Sequence, residues 1–424
     1  MKISTGAKLA ALGAAAVLAL TACGTPAATT SDEPTEPVAT DTASTEPETS
    51  GGGSYILGTT DIPTALDPAA TYDLPSWNLQ YTNYEQLMKF DANAPDPTPD
   101  AAESCEYTDA KTITCTLPAG KTFANGNALT SSDVKYSLER NLLINEPDGA
   151  SVLLASIADN SGVEGQKLTE GAIETPDDTT VIFHLNREDT TFLATLACAV
   201  ASIVDEETYP ADALLSDDEV VAAQGSSGPL VISSYTKGQQ AVFGTNPNYS
   251  GPRTSVTDEV FVQYFQDASP MRQALEGEQI DIAWRTLSPT DLADLATKDT
   301  VKVYDGNGAE YRYWVFQLGT EVGGNLAIRQ AVAQLIDRDS ITTNVYNGIK
   351  TPAYSQVPVG FAGEKDSFKE KYGEPSAEKA KAILDAAGVK TPVDITLGYP
   401  PEHYGEQAVD EANELARQLT DSGL

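Results

Sequence analysis

Three regimes of hydrophobic patterning divide this chain. Leu9 to Leu20 is an apolar run of mostly small residues, preceded by Lys2 and Lys8. It is too short to span a bilayer comfortably, and its basic start and small-residue end mark a secretory signal, assigned to residues 1–22. Residues 24–54 show no apolar period: Thr, Ser, Pro, Ala and Gly dominate, with six carboxylates and no basic residue. Such a stretch buries too little surface to offset its ordering entropy, so 23–54 is expected to be a disordered tether ending at Gly51-Gly-Gly53. From Tyr55 onward apolar positions recur with the periods of strands and helices, and no later run is long enough to cross a membrane.

Within that body, Tyr55 to Gly58 predicts a short strand. Tyr81 to Met88 predicts a helix with Tyr81, Tyr84, Leu87 and Met88 on one side. Thr112 to Leu117 alternates as a strand after a turn at Thr108-Asp-Ala-Lys111. Thr130-Ser-Ser-Asp133 caps a helix to about Leu142, with Val134, Leu138 and Leu142 facing inward. Thr180 to Leu185 and Glu259 to Phe265 read as strands. Ser269-Pro270 opens a helix that stops at Gly277, and Gly324 to Ile336 and Ser376 to Ala387 are further helices. Tyr311 to Gln317 is expected to be an aromatic-rich strand, Pro392 to Tyr399 another strand, and Glu411 to Leu419 helical. This irregular mixture points to an α/β or α+β chain of more than one domain, with no internal repeat.

The charge balance narrows the partners. Asp and Glu number 62 against 26 Lys and Arg, a net charge of −36. A polyanion repels phosphate backbones and anionic lipid surfaces, so nucleic acid is excluded as a partner and a basic membrane patch is not expected. The excess reads first as solubility and only weakly as attraction for cationic ligands.

Four cysteines are present. Cys105 and Cys115 flank a short hairpin, and outside the cytoplasm they are expected to form a disulfide; a metal pair is the alternative, with no further ligand cluster in sight. Cys198, in an apolar run, is expected to be a buried free thiol, with a partner in chain outside this sequence as the alternative. The two histidines, His184 and His403, accompany no HExxH helix, cysteine cluster or GxSxG elbow, and there is no phosphate-binding glycine loop. Metal capture, triad hydrolysis and nucleotide chemistry therefore lack support, and no cofactor is expected. A carboxylate pair of the glycosidase kind does not stand out from the acidic background. Aromatics are more informative: Trp77 lies in a turn before the Tyr81 helix, Trp284 at a strand end and Trp314 in the Tyr311 strand. Each alone reads as core; at least one of the three is expected to line a ligand pocket.

Two resemblances sharpen this picture. Leu20-Thr-Ala-Cys23 resembles a bacterial lipobox, which implies cleavage before Cys23 and acylation of that residue; two or more acyl chains hold a protein on a membrane. Five collinear blocks resemble the large extracytoplasmic solute-binding proteins of ABC importers, family 5. They are Ala65-Leu-Asp-Pro68 with Asn83-Tyr-Glu-Gln-Leu87; Pro99 to Ser104, Leu117 to Gly126 and Leu129 to Arg140; Gly228-Pro-Leu with Tyr235 to Gly238 and Asn246-Pro-Asn-Tyr249; Ala274 to Asp281; and Ile328 to Arg338 with Gly348 and Thr351-Pro-Ala353. The middle block is the strongest.

The resemblance implies an α/β, type II periplasmic-binding-protein clamp with an extra inserted lobe. Lobe one would comprise 55–97 and 200–308, lobe two 98–199, and lobe three 309–424. It implies a non-enzymatic, monomeric receptor on the outer face of the bacterial cytoplasmic membrane. Such a receptor captures peptides or related small solutes for an ABC permease and its ATPase subunits. Approximate alignment puts cleft contacts at Trp77, Trp284, Tyr311 and Tyr313, with Ser76 and Asn78 as polar partners. An anchored carboxylate hydrolase and a surface adhesion or signalling module are the alternatives. Departures from the family pattern are the missing aromatic after Gly228-Pro, the missing asparagine after Phe316, and an end at Leu424 before the family's return to lobe one. Lobe three is therefore expected to be incomplete, without the acidic partner of a peptide amino terminus and with uncovered apolar sheet surface.

Overall fold

The computed structural model describes residues 52–424 except 92, 93, 95, 160–166, 254, 256, 305–309, 362, 401–403, 405 and 406. The signal, Cys23, nearly all of the tether and His403 lie outside the described residues.

Two sheets organise the first three quarters of the body. The larger has five strands in the order β6-β7-β8-β1-β9: β1 is Ser54–Thr59, β6 Leu230–Thr236, β7 Gln240–Thr245, β8 Glu259–Tyr264 and β9 Ile282–Trp284. β1 runs parallel to both β8 and β9, while β7 is antiparallel to β6 and β8. Alternation along β1 explains how the sheet is clad on both faces. Tyr55 and Leu57 pack with Val260, Val262 and Phe243 on one side, while Ile56 packs with Met271, Ala274 and Ile280 on the other. The second layer there is helix α3 (Ala268–Glu276), which returns the chain from β8 to the edge strand β9.

The four-stranded sheet is antiparallel, ordered β2-β3-β5-β4, with β2 at Ser104–Asp109, β3 at Thr112–Thr116, β4 at Ile173–Asp177 and β5 at Thr180–His184. Cys105 and Cys115 face each other across the β2–β3 hairpin and are joined as the expected disulfide. Helix α2 (Ser131–Ile144) covers this sheet. It starts at a capping box made by Thr130 and Asp133 and ends at Asn145 in the left-handed region. Val134, Leu138 and Leu142 point into the core as the pattern requires, with Ile113, Val181, Phe183 and Phe192. Cys198 is a free thiol, half-buried rather than buried, and donates to the Ala194 carbonyl at 3.3 Å.

The predicted helix at Tyr81 to Met88 is displaced. Helix α1 spans Leu74–Asn83, because Asp73 caps it and Pro75 favours its first turn; Tyr84 is already extended. Trp77 is thus inside a helix, not in a turn before one.

After residue 309 the regular elements among the described residues are helices joined by long irregular segments. α4 (Leu326–Leu335) packs on α5 (Ala377–Ala386), with Ile328, Ala331, Ala380 and Leu384 at the contact. α6 (Gln407–Asp421) brings Leu415 against Ile341, Tyr346 and Trp314. Neither Tyr311–Gln317 nor Pro392–Tyr399 forms the expected strand. Alternation makes a segment fit for a ladder, but a strand needs a neighbour, and among the described residues neither segment has one. Arg312 instead pins the first segment through Glu411 and Tyr346, with its guanidinium 4.4 Å from the Tyr404 ring.

Candidate functional site

In open α/β sheets the loops leaving the carboxyl ends of parallel strands form the natural crevice. Here those strands are the neighbours β1 and β9. β1 delivers Thr60 and Asp61; β9 delivers Trp284, Arg285 and Thr286. The Thr60 and Thr286 hydroxyls are 2.9 Å apart and hydrogen-bonded, tying the two exits together. Arg285 Nη1 lies 3.3 Å from the buried Asp61 carboxylate and 3.5 Å from Glu310. That last contact brings the segment carrying Tyr311 and Tyr313 to the sheet end that carries Trp284.

The backbone at this exit is strained. Arg285 and Thr286 have φ of 64° and 57°, successive left-handed residues of which neither is glycine. Each costs about 1–2 kcal/mol, more for a β-branched residue such as Thr286. The Thr60–Thr286 bond, the Asp61–Arg285 pair and a hydrogen bond from the Leu287 amide to the Arg285 carbonyl at 2.8 Å are among the contacts that hold this turn.

Trp284 is 47% exposed beside the turn. Tyr311 is half-buried and Tyr313 exposed, with their rings 5.1 Å apart. A second aromatic group sits on α1: Trp77 stacks on Tyr72 at 5.3 Å and meets Tyr81 edge-on at 6.3 Å. Tyr72, which the sequence reading passed over, is the most open of these, at 54%. Its signal was the Tyr–Trp spacing of five, one loop residue and one helix residue turned to the same side. Trp77 itself is half-buried against the core of the four-stranded sheet, and its Nε1 donates to the Thr71 carbonyl. Asn78 is exposed on the same helix.

Ser76 requires a correction. It is fully buried, and its hydroxyl accepts from the Thr64 amide at 3.0 Å. Ser76 therefore pins the segment leaving β1 onto the start of α1, and is not a cleft surface.

A cavity of about 450 Å³ is lined by another set of residues, including Asp100, Glu103, Lys121 and Gly251. Two of its charges are already paired with neighbours: Lys121 donates to Glu85 at 2.9 Å and Arg253 reaches Asp100 at 3.0 Å, with Glu85, Asp100 and Lys121 nearly inaccessible. Burial pushes the Glu85 carboxyl up to about 7, despite the pull of Lys121 and Arg253. The sequence reading missed this quartet, because Glu85 and Lys121 sit in blocks that were read only as resemblance. Among the described residues no group of three or more metal-ligating side chains gathers, and no helix is long and apolar enough to cross a membrane.

Comparison with known proteins agrees with this architecture. Residues 96–424 match the family described as bacterial extracellular solute-binding proteins, family 5 Middle. The haem-binding protein A of Haemophilus influenzae is 27% identical over 360 residues, covering 82% of this chain and 64% of that protein. The probable D,D-dipeptide-binding periplasmic protein of Escherichia coli is 28% identical over 351 residues, covering 81% and 64%. This chain thus spans less than two thirds of the length of these curated relatives. Among solved structures, the murein tripeptide binding protein of Escherichia coli superposes with a TM-score of 0.71 at 20% identity, covering 88% of this chain and 73% of that one. The ABC transporter substrate-binding protein CtaP of Listeria monocytogenes gives 0.70 at 22%, covering 88% and 72%. The fold is therefore the mixed α/β, type II binding-protein fold, and the chain belongs to the bacterial extracellular solute-binding proteins of family 5.

Proposed function

We propose that this chain is the extracytoplasmic receptor of an ABC importer, which captures peptides or related small solutes and delivers them unchanged to a membrane permease. The observation that carries this reading is the family match across residues 96–424. A haem-binding protein and a probable D,D-dipeptide-binding protein among its relatives support a small organic solute as the ligand. Lobe one is 55–97 with 200–308, lobe two 98–199 and lobe three 309–424. Ligand touching both lobe one and lobe three stabilises a closed clamp, since only closure makes both sets of contacts. Trp284, Tyr311, Tyr313, Trp77 and Asn78 are the proposed contacts, to which we add Tyr72, exposed beside Trp77. The acylated Cys23 holds the receptor at the membrane, and the tether raises its effective concentration at the permease.

The test is capture from mixture. The full chain is incubated with a pool of di- to pentapeptides and, separately, with haemin; bound ligand is identified by mass spectrometry after gel filtration, and tryptophan fluorescence is titrated. Saturable retention of intact peptide supports the reading. Retention of haemin alone moves the ligand class, cleavage of the peptides refutes a receptor without chemistry, and retention of neither refutes the receptor role.

A further inference from the structure

The turn after β9 carries more information than its position. Two consecutive left-handed residues would be relaxed as glycines, yet the chain places Arg285 and Thr286 there. Strain kept at such a point argues that the side chains are required. The Arg285 side chain is only 20% exposed, and Nη1 is buried with no hydrogen bond of acceptable geometry among the described residues. Among the described residues Nη1 meets two carboxylates of different standing as ion pairs. Asp61 is buried beneath it, with a side chain 4% exposed; Glu310 is 63% exposed and reaches it through one contact of 3.5 Å. A guanidinium is built to offer two parallel N–H bonds to a carboxylate, and here Nη1 makes none to a described residue.

We propose that Arg285 is the receptor for a carboxylate of the ligand, and that Glu310 occupies its place in the unliganded protein. The proposal rests on the solute-receptor reading above and narrows its substrate class: a peptide with a free carboxyl terminus, or another solute bearing a carboxylate. Asp61 stays beneath the guanidinium and fixes its direction. Glu310 is exchanged for the incoming group, because an exposed partner held by one long contact is easily displaced. Trp284, next in the chain and half-exposed, supplies an apolar surface for the part of the ligand adjoining the carboxylate. The net charge of −36 does not oppose this at contact range, since physiological salt screens exposed charges beyond about 8 Å. It does mean that an anionic ligand needs a specific cation on arrival, which Arg285 provides.

The experiment pairs two pools of tri- to pentapeptides, identical in sequence, one with free carboxyl termini and one amidated. Both are offered to the full chain, and retained peptide is counted by mass spectrometry. The expected result is a preference for the free acids of roughly tenfold to a hundredfold, the scale of a charge-assisted pair. Arg285→Gln should bring that preference to within about twofold of unity, and Arg285→Lys should leave an intermediate value, a point charge without the fork. Glu310→Gln should strengthen retention of the free acids several-fold by removing the internal competitor. Equal retention of acids and amides by the wild-type chain overturns the proposal, as does a preference that survives Arg285→Gln. A melting curve for each variant separates lost recognition from lost fold, and Arg285→Lys carries the test if the glutamine variant unfolds. Succinate, followed by tryptophan fluorescence, separates this proposal from the peptide reading. If no peptide is retained but succinate titrates the wild type and not Arg285→Gln, the peptide reading falls and the carboxylate site stands. If peptides are retained without regard to their termini, the reverse holds. Silence from both probes sinks both.

Discussion

Replacing Arg140 by methionine should be among the most damaging single changes available to this protein. Arg140 lies in α2, on the four-stranded sheet, and its guanidinium grips Asp67, in the loop that follows β1 of the five-stranded sheet. Nη1 and Nη2 donate to the two carboxylate oxygens at 2.8 and 2.6 Å, Nε to the Pro210 carbonyl at 2.7 Å and Nη2 also to the Ala213 carbonyl at 2.8 Å. Asp67 in turn accepts from the amides of Ala69 and Leu215 at 3.0 and 2.9 Å. Both side chains are essentially inaccessible, at 2% and 0%. Methionine fills much of the volume but strands a buried carboxylate with two backbone donors. Breaking such a pair from one side costs about 3–5 kcal/mol, a large part of the ~5–15 kcal/mol that holds a domain folded. Changing Asp67 to leucine as well removes the stranded charge. The double variant should recover part of the loss and keep a residual cost of about 1–3 kcal/mol from amides and carbonyls left without partners. Urea denaturation followed by far-ultraviolet circular dichroism, with the slope fitted for each variant, measures all three. If Arg140→Met shifts stability by less than about 1 kcal/mol, or if the double variant falls by the full sum of Arg140→Met and Asp67→Leu measured singly, the pair is not a clamp between the sheets.

Three further outcomes are expected. Burial raises Glu85 above its unfolded value, so the folded protein holds that proton more tightly than the unfolded chain does. Its contribution is therefore greatest below about pH 4.5 and is lost as pH rises through about 7, a fall of about 3 kcal/mol. A stability–pH curve for wild type and Glu85→Gln checks this, and a wild-type curve no steeper than the variant's over that window contradicts it. Gly228→Ala should destabilise by about 1–3 kcal/mol, because the added Cβ would stand 2.6 Å from the Thr82 carbonyl oxygen and 2.7 and 2.8 Å from backbone atoms of Asn83 and Tyr84. An unchanged melting temperature would show that this close approach has room to relax. Cys23→Ser should release the protein from membranes into the medium without altering its ligand affinity, measured by fractionation and titration; membrane retention of the variant would remove Cys23 as the anchor.

What could be read from the sequence follows the distance over which each feature is specified. The Thr130–Asp133 cap and the alternation of Val181 and Phe183 are local, and both appear where the pattern put them. Helix α1 was also specified locally, by Asp73 and Pro75, but the apolar spacing of Tyr81, Tyr84, Leu87 and Met88 drew attention past its true end. Strand status is different in kind. Tyr311–Gln317 alternates as well as β1 does, yet β1 is laddered because β8 and β9 flank it, and no property of residues 311–317 reveals whether a neighbour exists. The site lies at the far end of this scale. Thr60 and Thr286 bond across 226 positions, and Asp61, Arg285 and Glu310 meet only because β1 and β9 run parallel, side by side, and end together. In the sequence Asp61 is one of 62 acidic residues and Arg285 one of 26 basic ones. What separates them from the rest is the burial of Asp61, the left-handed backbone of Arg285 and an Nη1 without a hydrogen bond among the described residues, and each of these exists only once the fold has formed. Aromatic residues could be proposed for the cleft from type and spacing alone, since any exposed ring can stack. A half-buried arginine between two carboxylates could not, because its meaning depends on which partner is fixed and which can leave.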